Sequence, residues 1–264
     1  MTSLHNILKA LFFFFAHQYG FRKTISTADA AFETVATIQS ALDQGLFVSG
    51  LFLDVKKAFD SVNHTLLLKK LREAGVGGDV ISWMENYLSG RTQSVVLSGE
   101  LSSKQQVLSG VPQGSILGPM LFKVFLNDIT KLVLKGRLNL YADDANVIYS
   151  ATTLDSLFNG MQEDLLQLFN WYKSNGLSLN LTKTRYMLFS PKPLSNVNYA
   201  LIANGINIQR ASSVKSLGLH LDERLKWDIH IAKVKSSILP VLGLIFRNKS
   251  YLHVNNLKKK STIP

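Results

Sequence analysis

Residues 138–150, LNLYADDANVIYS, run apolar and alternating into two adjacent acids, Asp143 and Asp144, and then apolar again. Alternation at a period of two on both sides of a short polar break is the pattern of a buried antiparallel hairpin. Two carboxylates side by side repel each other, and their place at the tip admits two readings. Either the turn wants Asp, which tolerates turn backbone well, or the acids hold a cation.

The rest of the chain alternates helices with antiparallel strands, which argues an α+β fold. STADAAFETVATIQSALDQG (26–45) reads as a helix capped by Ser26 or Thr27 and stopped by Gly45. LFVSGLFLDV (46–55) is a β-rich apolar run ending at Asp54, and NHTLLLKKLREAG (63–75) is an amphipathic helix with Asn63 as cap. GDVISWMENYLSG (78–90) makes a further short helix, and 91–109 make two polar strands joined by a Gly-Glu turn. GVPQGSILGP (110–119) is a Gly/Pro loop opening a helix. After the hairpin come a helix from about Leu154 to Ser174, a strand over 177–190, two or three short strands within 199–222, and a terminal helix over about 226–247.

Composition narrows the chemistry. With no cysteine, disulfide frameworks, zinc knuckles, thiol nucleophiles and iron–sulfur sites all drop out. The six histidines are scattered, so a bound metal would take oxygen ligands, which points to magnesium or manganese. A net charge of +11 calls for a polyanionic partner, nucleic acid or an anionic membrane, unless the basic residues serve only solubility. The longest unbroken apolar runs, 11–16 and 238–246, fall short of the roughly 20 residues of a membrane span. No cleavage site follows the first run, so the expected location is intracellular, cytoplasmic or nuclear.

Asp54 stands where an apolar strand ends, so its carboxylate would project at a sheet edge beside neighbouring strand ends. An acid there, with a second pair at a hairpin tip, is the arrangement needed to clamp two divalent ions for phosphoryl chemistry. FLDVKKAFD, GVPQGSILGP, YADD and LSLNLTKT occur in this order. With these four boxes the chain resembles the reverse transcriptases of non-LTR (LINE-like) retrotransposons. The resemblance runs from HQYGFRKTIST (17–27) through VKSLGLHLDERLKW (214–227) into the last helix.

The resemblance implies a palm-like antiparallel sheet packed on helices, with partial fingers and a truncated thumb. It implies one reverse transcriptase domain over 1–264: fingers in 1–50, a palm with inserted finger elements in 51–222, and the start of a thumb or a tail in 223–264. Asp54, Asp143 and Asp144 take the places of the catalytic, metal-holding aspartates around two Mg²⁺ (or Mn²⁺) ions. Phe59 falls where an aromatic underlies the deoxyribose and excludes a 2′-hydroxyl. Gln113 and Gly114 match the loop along nucleotide and template, and Lys183 matches the lysine that neutralises or protonates the leaving pyrophosphate. Tyr141, Leu217 and Gly218 match primer-side positions, and Arg22 a finger-region arginine. The implied partners are an RNA template, a DNA primer and dNTPs. Lys258–Lys260 could add backbone contacts or be a solvated tail.

The ends depart from that family. Only about twenty residues precede the GFR box, and the chain stops soon after the last helix. The chain therefore reads as a palm with partial fingers, cut from a longer element or encoded by a decayed copy. Two functions of different class stay open: an RNA-directed DNA polymerase, and an inactive remnant or domesticated fold that binds nucleic acid. A maturase-like relative from a mobile intron would share the acids, but KKAFDSVNH and LGLHLDERLKW incline to the LINE-like side.

Overall fold

The structure, a computed structural model, describes residues 18–20, 26–190, 197 and 199–248. Its centre is a five-stranded sheet. In chain order the strands are β1 (Phe47–Leu53), β2 (Arg137–Tyr141), β3 (Asp144–Ala151), β4 (Arg185–Phe189) and β5 (Gln209–Arg210), and their spatial order is β5-β4-β1-β3-β2. All pairs are antiparallel except β4 with the short edge strand β5, which run parallel. The α+β expectation holds.

Six of the seven residues of β1 are buried, because the strand is central and both sheet faces are covered. On one face Leu51, Leu53, Val147 and Leu188 meet α5 (Leu154–Ser174) through Leu157, Met161, Leu165 and Leu168. The same core takes in α2 (His64–Glu73), α3 (Gly78–Leu88) and α4 (Leu117–Leu126). On the other face Val48, Phe52, Ile148 and Met187 meet Ile38 and Ala41 of α1 (Thr27–Asp43). Each large apolar side chain so buried contributes about 1.5–3 kcal/mol relative to exposure. Gly50 lies where a Cβ would stand 2.8 Å from the Phe52 ring, so the ring itself occupies the space a side chain would need.

The caps follow the sequence. Ser26 and Asp29 close a reciprocal capping box on α1, Asn63 caps α2, and Thr153 caps α5. Three expectations need correction. The 91–109 hairpin turns at Ser98-Gly99, one residue before the expected Gly-Glu, because Leu97 pairs with Glu100 and the two left-handed positions (φ +51° and +88°) fall between them. The strand expected over 177–190 is broken. Ser178–Leu179 pairs with Val55–Lys56, a turn at 180–184 follows, and β4 begins only at Arg185. The segment 199–222 holds five short strands, ending in the hairpin β6 (Ser213–Ser216) and β7 (Leu219–Asp222).

The last described helix, α6 (Asp228–Arg247), corrects the reading of membrane spans. It is long and apolar enough to cross a membrane by length and composition, with none of its residues buried. Unbroken runs missed it because His230, Lys233, Lys235 and two serines interrupt a helix that is otherwise apolar between its terminal Asp228 and Arg247. The 11–16 run, Arg22 and Lys258–Lys260 lie outside the described residues.

Candidate active site

The acids meet at one end of the sheet. Leu53 of β1 pairs with Ala145 of β3, so continuing the register by one residue sets Asp54 opposite Asp144. Across the hairpin Tyr141 pairs with Asp144, leaving Ala142-Asp143 as a two-residue turn with Ala142 at φ +55°. Asp143 is thus the tip, and Asp144 opens a strand. Both are solvent-exposed as residues, and Asp54 is half-buried. Partial burial, then the charges of Asp143 and of Asp54, raise the Asp144 carboxyl above its ordinary value, while Lys215 of β6 opposes the rise. Burial and the Asp143 charge likewise raise the phenol of fully buried Tyr172.

Two segments hold this end in shape. Asn180 N–H donates to Asp54 O at 2.7 Å, and Asp54 N–H reaches Thr184 Oγ1 at 3.4 Å. The turn that clamps Asp54 therefore also carries Lys183, and the two line a cleft of about 470 Å³ with Lys56 and Lys57. On the hairpin side Tyr19 N–H donates to Leu140 O at 2.8 Å, and a Cβ on Gly20 would stand 2.3 Å from Ala142 N. Only glycine fits there, in contact with the turn that presents Asp143.

The loop residues are held from the β1 side. Phe59 opens a one-turn 3₁₀ helix (Phe59–Ser61), half-buried, with its ring stacked on Phe122 at 4.3 Å between centroids. Gln113 Nε2 donates to Asp60 Oδ1 at 2.8 Å and borders a second cleft, of about 680 Å³, with Lys57 and Arg91. Gly114 stands at φ +75° with open space where a Cβ would go, so its backbone angle requires glycine and crowding does not. Leu217 and Gly218 form the two-residue turn of β6–β7, both left-handed (φ +51° and +82°). Lys215 of that hairpin is the cation that acts on Asp144.

So the structure gathers Asp54, Asp143, Asp144 and Lys183 at one sheet end. Phe59 and Gln113 sit on a neighbouring loop system, with Lys57 bordering both clefts. Sequence reasoning missed Lys57, Asp60, Lys215 and Gly20. VKKAFD holds two of them, but nothing local says which distant groups they face. Among the described residues no three His, Cys, Asp or Glu side chains stand close enough together to hold a metal ion. By donor chemistry the acids do suit a hard divalent cation: the charges of Asp143 and Asp54 act on the Asp144 carboxyl, a strain a cation would relieve.

A palm-like sheet with acids at one end defines a class of polymerase. The chain belongs to the reverse transcriptase (RNA-dependent DNA polymerase) family, whose profile matches residues 2–221. Among its curated relatives are the probable RNA-directed DNA polymerase from transposon BS of Drosophila melanogaster, 32% identical over 222 residues, and the RNA-directed DNA polymerase from mobile element jockey of the same fly, 30% identical over 227. These alignments take in 81% and 83% of this chain and 24% of each relative, so the chain spans about a quarter of their length. Among solved structures, apo telomerase from Candida tropicalis truncated from the C-terminal domain aligns with a TM-score of 0.52 and 16% identity. That alignment covers 84% of this chain and 42% of the other, and it shows the shared fold.

Proposed function

We propose that this chain carries the nucleotidyl-transfer site of a non-LTR retrotransposon's RNA-directed DNA polymerase, extending a DNA primer on an RNA template with dNTPs. One observation carries the reading: Leu53 and Ala145 pair at the shared end of β1 and β3, and the next residues, Asp54 and Asp144, lie close enough for the charge of one to act on the other, with Lys183 beside Asp54. In the reaction the primer 3′-oxygen attacks the α-phosphorus, a new P–O bond forms, and the bond to the β-phosphate oxygen breaks as pyrophosphate leaves. Asp54, Asp143 and Asp144 would hold two Mg²⁺ (or Mn²⁺) ions, whose chemistry is to activate the attacking oxygen and neutralise the charge on the leaving one.

Lys183 would donate a hydrogen bond or proton to the leaving pyrophosphate. Phe59 lies under the sugar and excludes a 2′-hydroxyl, its ring braced by Phe122. Gln113 and Gly114 border nucleotide and template. Tyr141, with Leu217 and Gly218 on the hairpin turn, supports the primer end. Residues 1–50 are assigned to partial fingers, 51–222 to the palm with finger insertions, and 223–264 to the start of a thumb or a tail. The reading makes the protein intracellular, as its nucleic-acid substrates require.

A nucleic-acid-binding remnant without catalysis is favoured by one observation, the spacing of the three acids, which are not drawn together into a metal cage. Primer extension on an RNA template with Mg²⁺, beside Asp143→Ala, decides between them. The chain alone is expected to extend weakly. Robust synthesis lost in the variant refutes the remnant, and equal traces in both sink the polymerase reading.

A further inference from the structure

The segment after Asp54 and the loop that carries Gln113 are zipped together by contacts on both sides of Asp60. Val111 N–H donates to Phe59 O at 2.9 Å, and Gly110 N–H to Val62 O at 2.8 Å. Ser109 Oγ donates to Asp60 O at 3.0 Å, and His64 Nε2 lies 2.7 Å from Gly110 O, so that nitrogen carries the hydrogen. Gly110 is at φ +92°, and a Cβ there would meet Asp60 Cα at 2.8 Å, so the two backbones are in direct contact. On this side the bonds use the main chain of Phe59, Asp60 and Val62 and the His64 ring. The Asp60 side chain does something else: its carboxylate takes the Gln113 amide hydrogen at 2.8 Å.

An ionised carboxylate has no hydrogen to give, so only the NH₂ end of the Gln113 amide can face it. The carbonyl Oε1 is thereby left to accept from another donor at the cleft of about 680 Å³ that Gln113 and Asp60 border with Lys57 and Arg91. A glutamine amide without such a partner presents either end. We propose that Asp60 is a positioning residue that fixes the Gln113 amide with its acceptor toward the incoming nucleotide. The zipper beneath sets the loop's height against Phe59. This rests on the polymerase reading above, and it adds a residue that touches no substrate.

The test uses the full chain holding a poly(rA) template annealed to a dideoxy-terminated oligo(dT) primer, in Mg²⁺. dTTP affinity is measured by equilibrium dialysis, which needs no turnover. Asp60→Ala is expected to weaken dTTP about tenfold, the scale of one charge-assisted hydrogen bond. Ser109→Ala removes a bond to the Asp60 main chain but leaves the amide pair, and is expected to stay within about twofold. Melting curves check that each variant is folded. If Asp60→Ala lowers the melting temperature, isosteric Asp60→Asn takes its place, with about a threefold loss as the amide turns freely between its two faces. Equal affinity in the Asp60 variant and the original chain overturns the positioning role and leaves the polymerase reading intact. A loss in Ser109→Ala as large as in Asp60→Ala also overturns it, by showing that the loop and not the amide matters. An original chain that binds no dTTP at all refutes the polymerase reading first, and the positioning role with it.

Discussion

Two apolar stretches of similar character meet opposite fates in this molecule. FVSGLFL becomes β1, buried on both sides, and carries Asp54 at its end. ILPVLGLIF becomes the second half of α6, where Leu239, Val241, Leu244 and Phe246 are all exposed. The difference lies in neighbours. β1 has a strand on each side and a helix over each face, while no described element packs closely enough on α6 to bury any of its residues. The candidate site thus sits where the chain supplies its own surroundings. The apolar surface of α6 stays uncovered among the described residues.

The sharpest way to break this contrast is to shorten one leucine in each stretch. Leu51→Ala should cost about 3 kcal/mol in urea unfolding, from lost burial plus the cavity left between sheet and helix. Leu242→Ala on α6 should change stability by no more than about 0.5 kcal/mol. Comparable losses would mean that α6 is buried in solution.

Gly20→Ala comes next. Its new Cβ has backbone on the far side and no flexible side chain to push away. A destabilisation of about 1–3 kcal/mol is expected, with changed amide shifts at Tyr141 to Asp144 by NMR. Unchanged shifts there would show that the segment at 18–20 does not support the acid turn.

A smaller effect concerns the acids themselves. Because the folded state raises the Asp144 carboxyl, the folded protein binds a proton more readily than the unfolded chain, and its stability falls as pH rises through the raised value. Asp144→Asn should therefore raise the melting temperature at pH 7 by about 1–3 °C, and the gain should vanish in acid, where the original carboxyl is protonated. Added Mg²⁺ should narrow the same gap by stabilising the original chain. A variant that melts lower at pH 7 would contradict the crowding of these carboxylates.

The smallest change is expected at the exposed Arg72–Glu85 pair, 2.7 Å apart, where Arg72→Ala should cost under about 0.5 kcal/mol.

The sheet was legible because its strands follow local rules. Alternation marked the hairpin, the cap residues marked α1 and α2, and Asp54 ended its strand as read. The break at 180–184 was hidden for a physical reason. Asn180 and Thr184 leave the sheet pattern to bond the backbone of Asp54, 126 and 130 residues earlier in the chain, and no local periodicity records such a partner. The turn at Ser98-Gly99 was missed by one residue, since register depends on which pair closes the ladder. The boxes picked out Asp54, Asp143, Asp144, Gln113 and Lys183. Asp60 and Lys215 stayed unseen because each matters through a group that only the fold brings near.

The pairing of Leu53 with Ala145 also bears on how a gene for such a chain decays. Strand side chains alternate with a period of two, so one codon inserted between Phe47 and Leu53 would turn half of β1 inside out and carry Asp54 off the face it shares with Asp144. Two or three codons added at Ser98-Gly99, on an exposed hairpin, would leave both cores and all three acids where they are. Among copies accumulating small in-frame insertions, those struck in the central strand should be dead long before those struck in that outer loop.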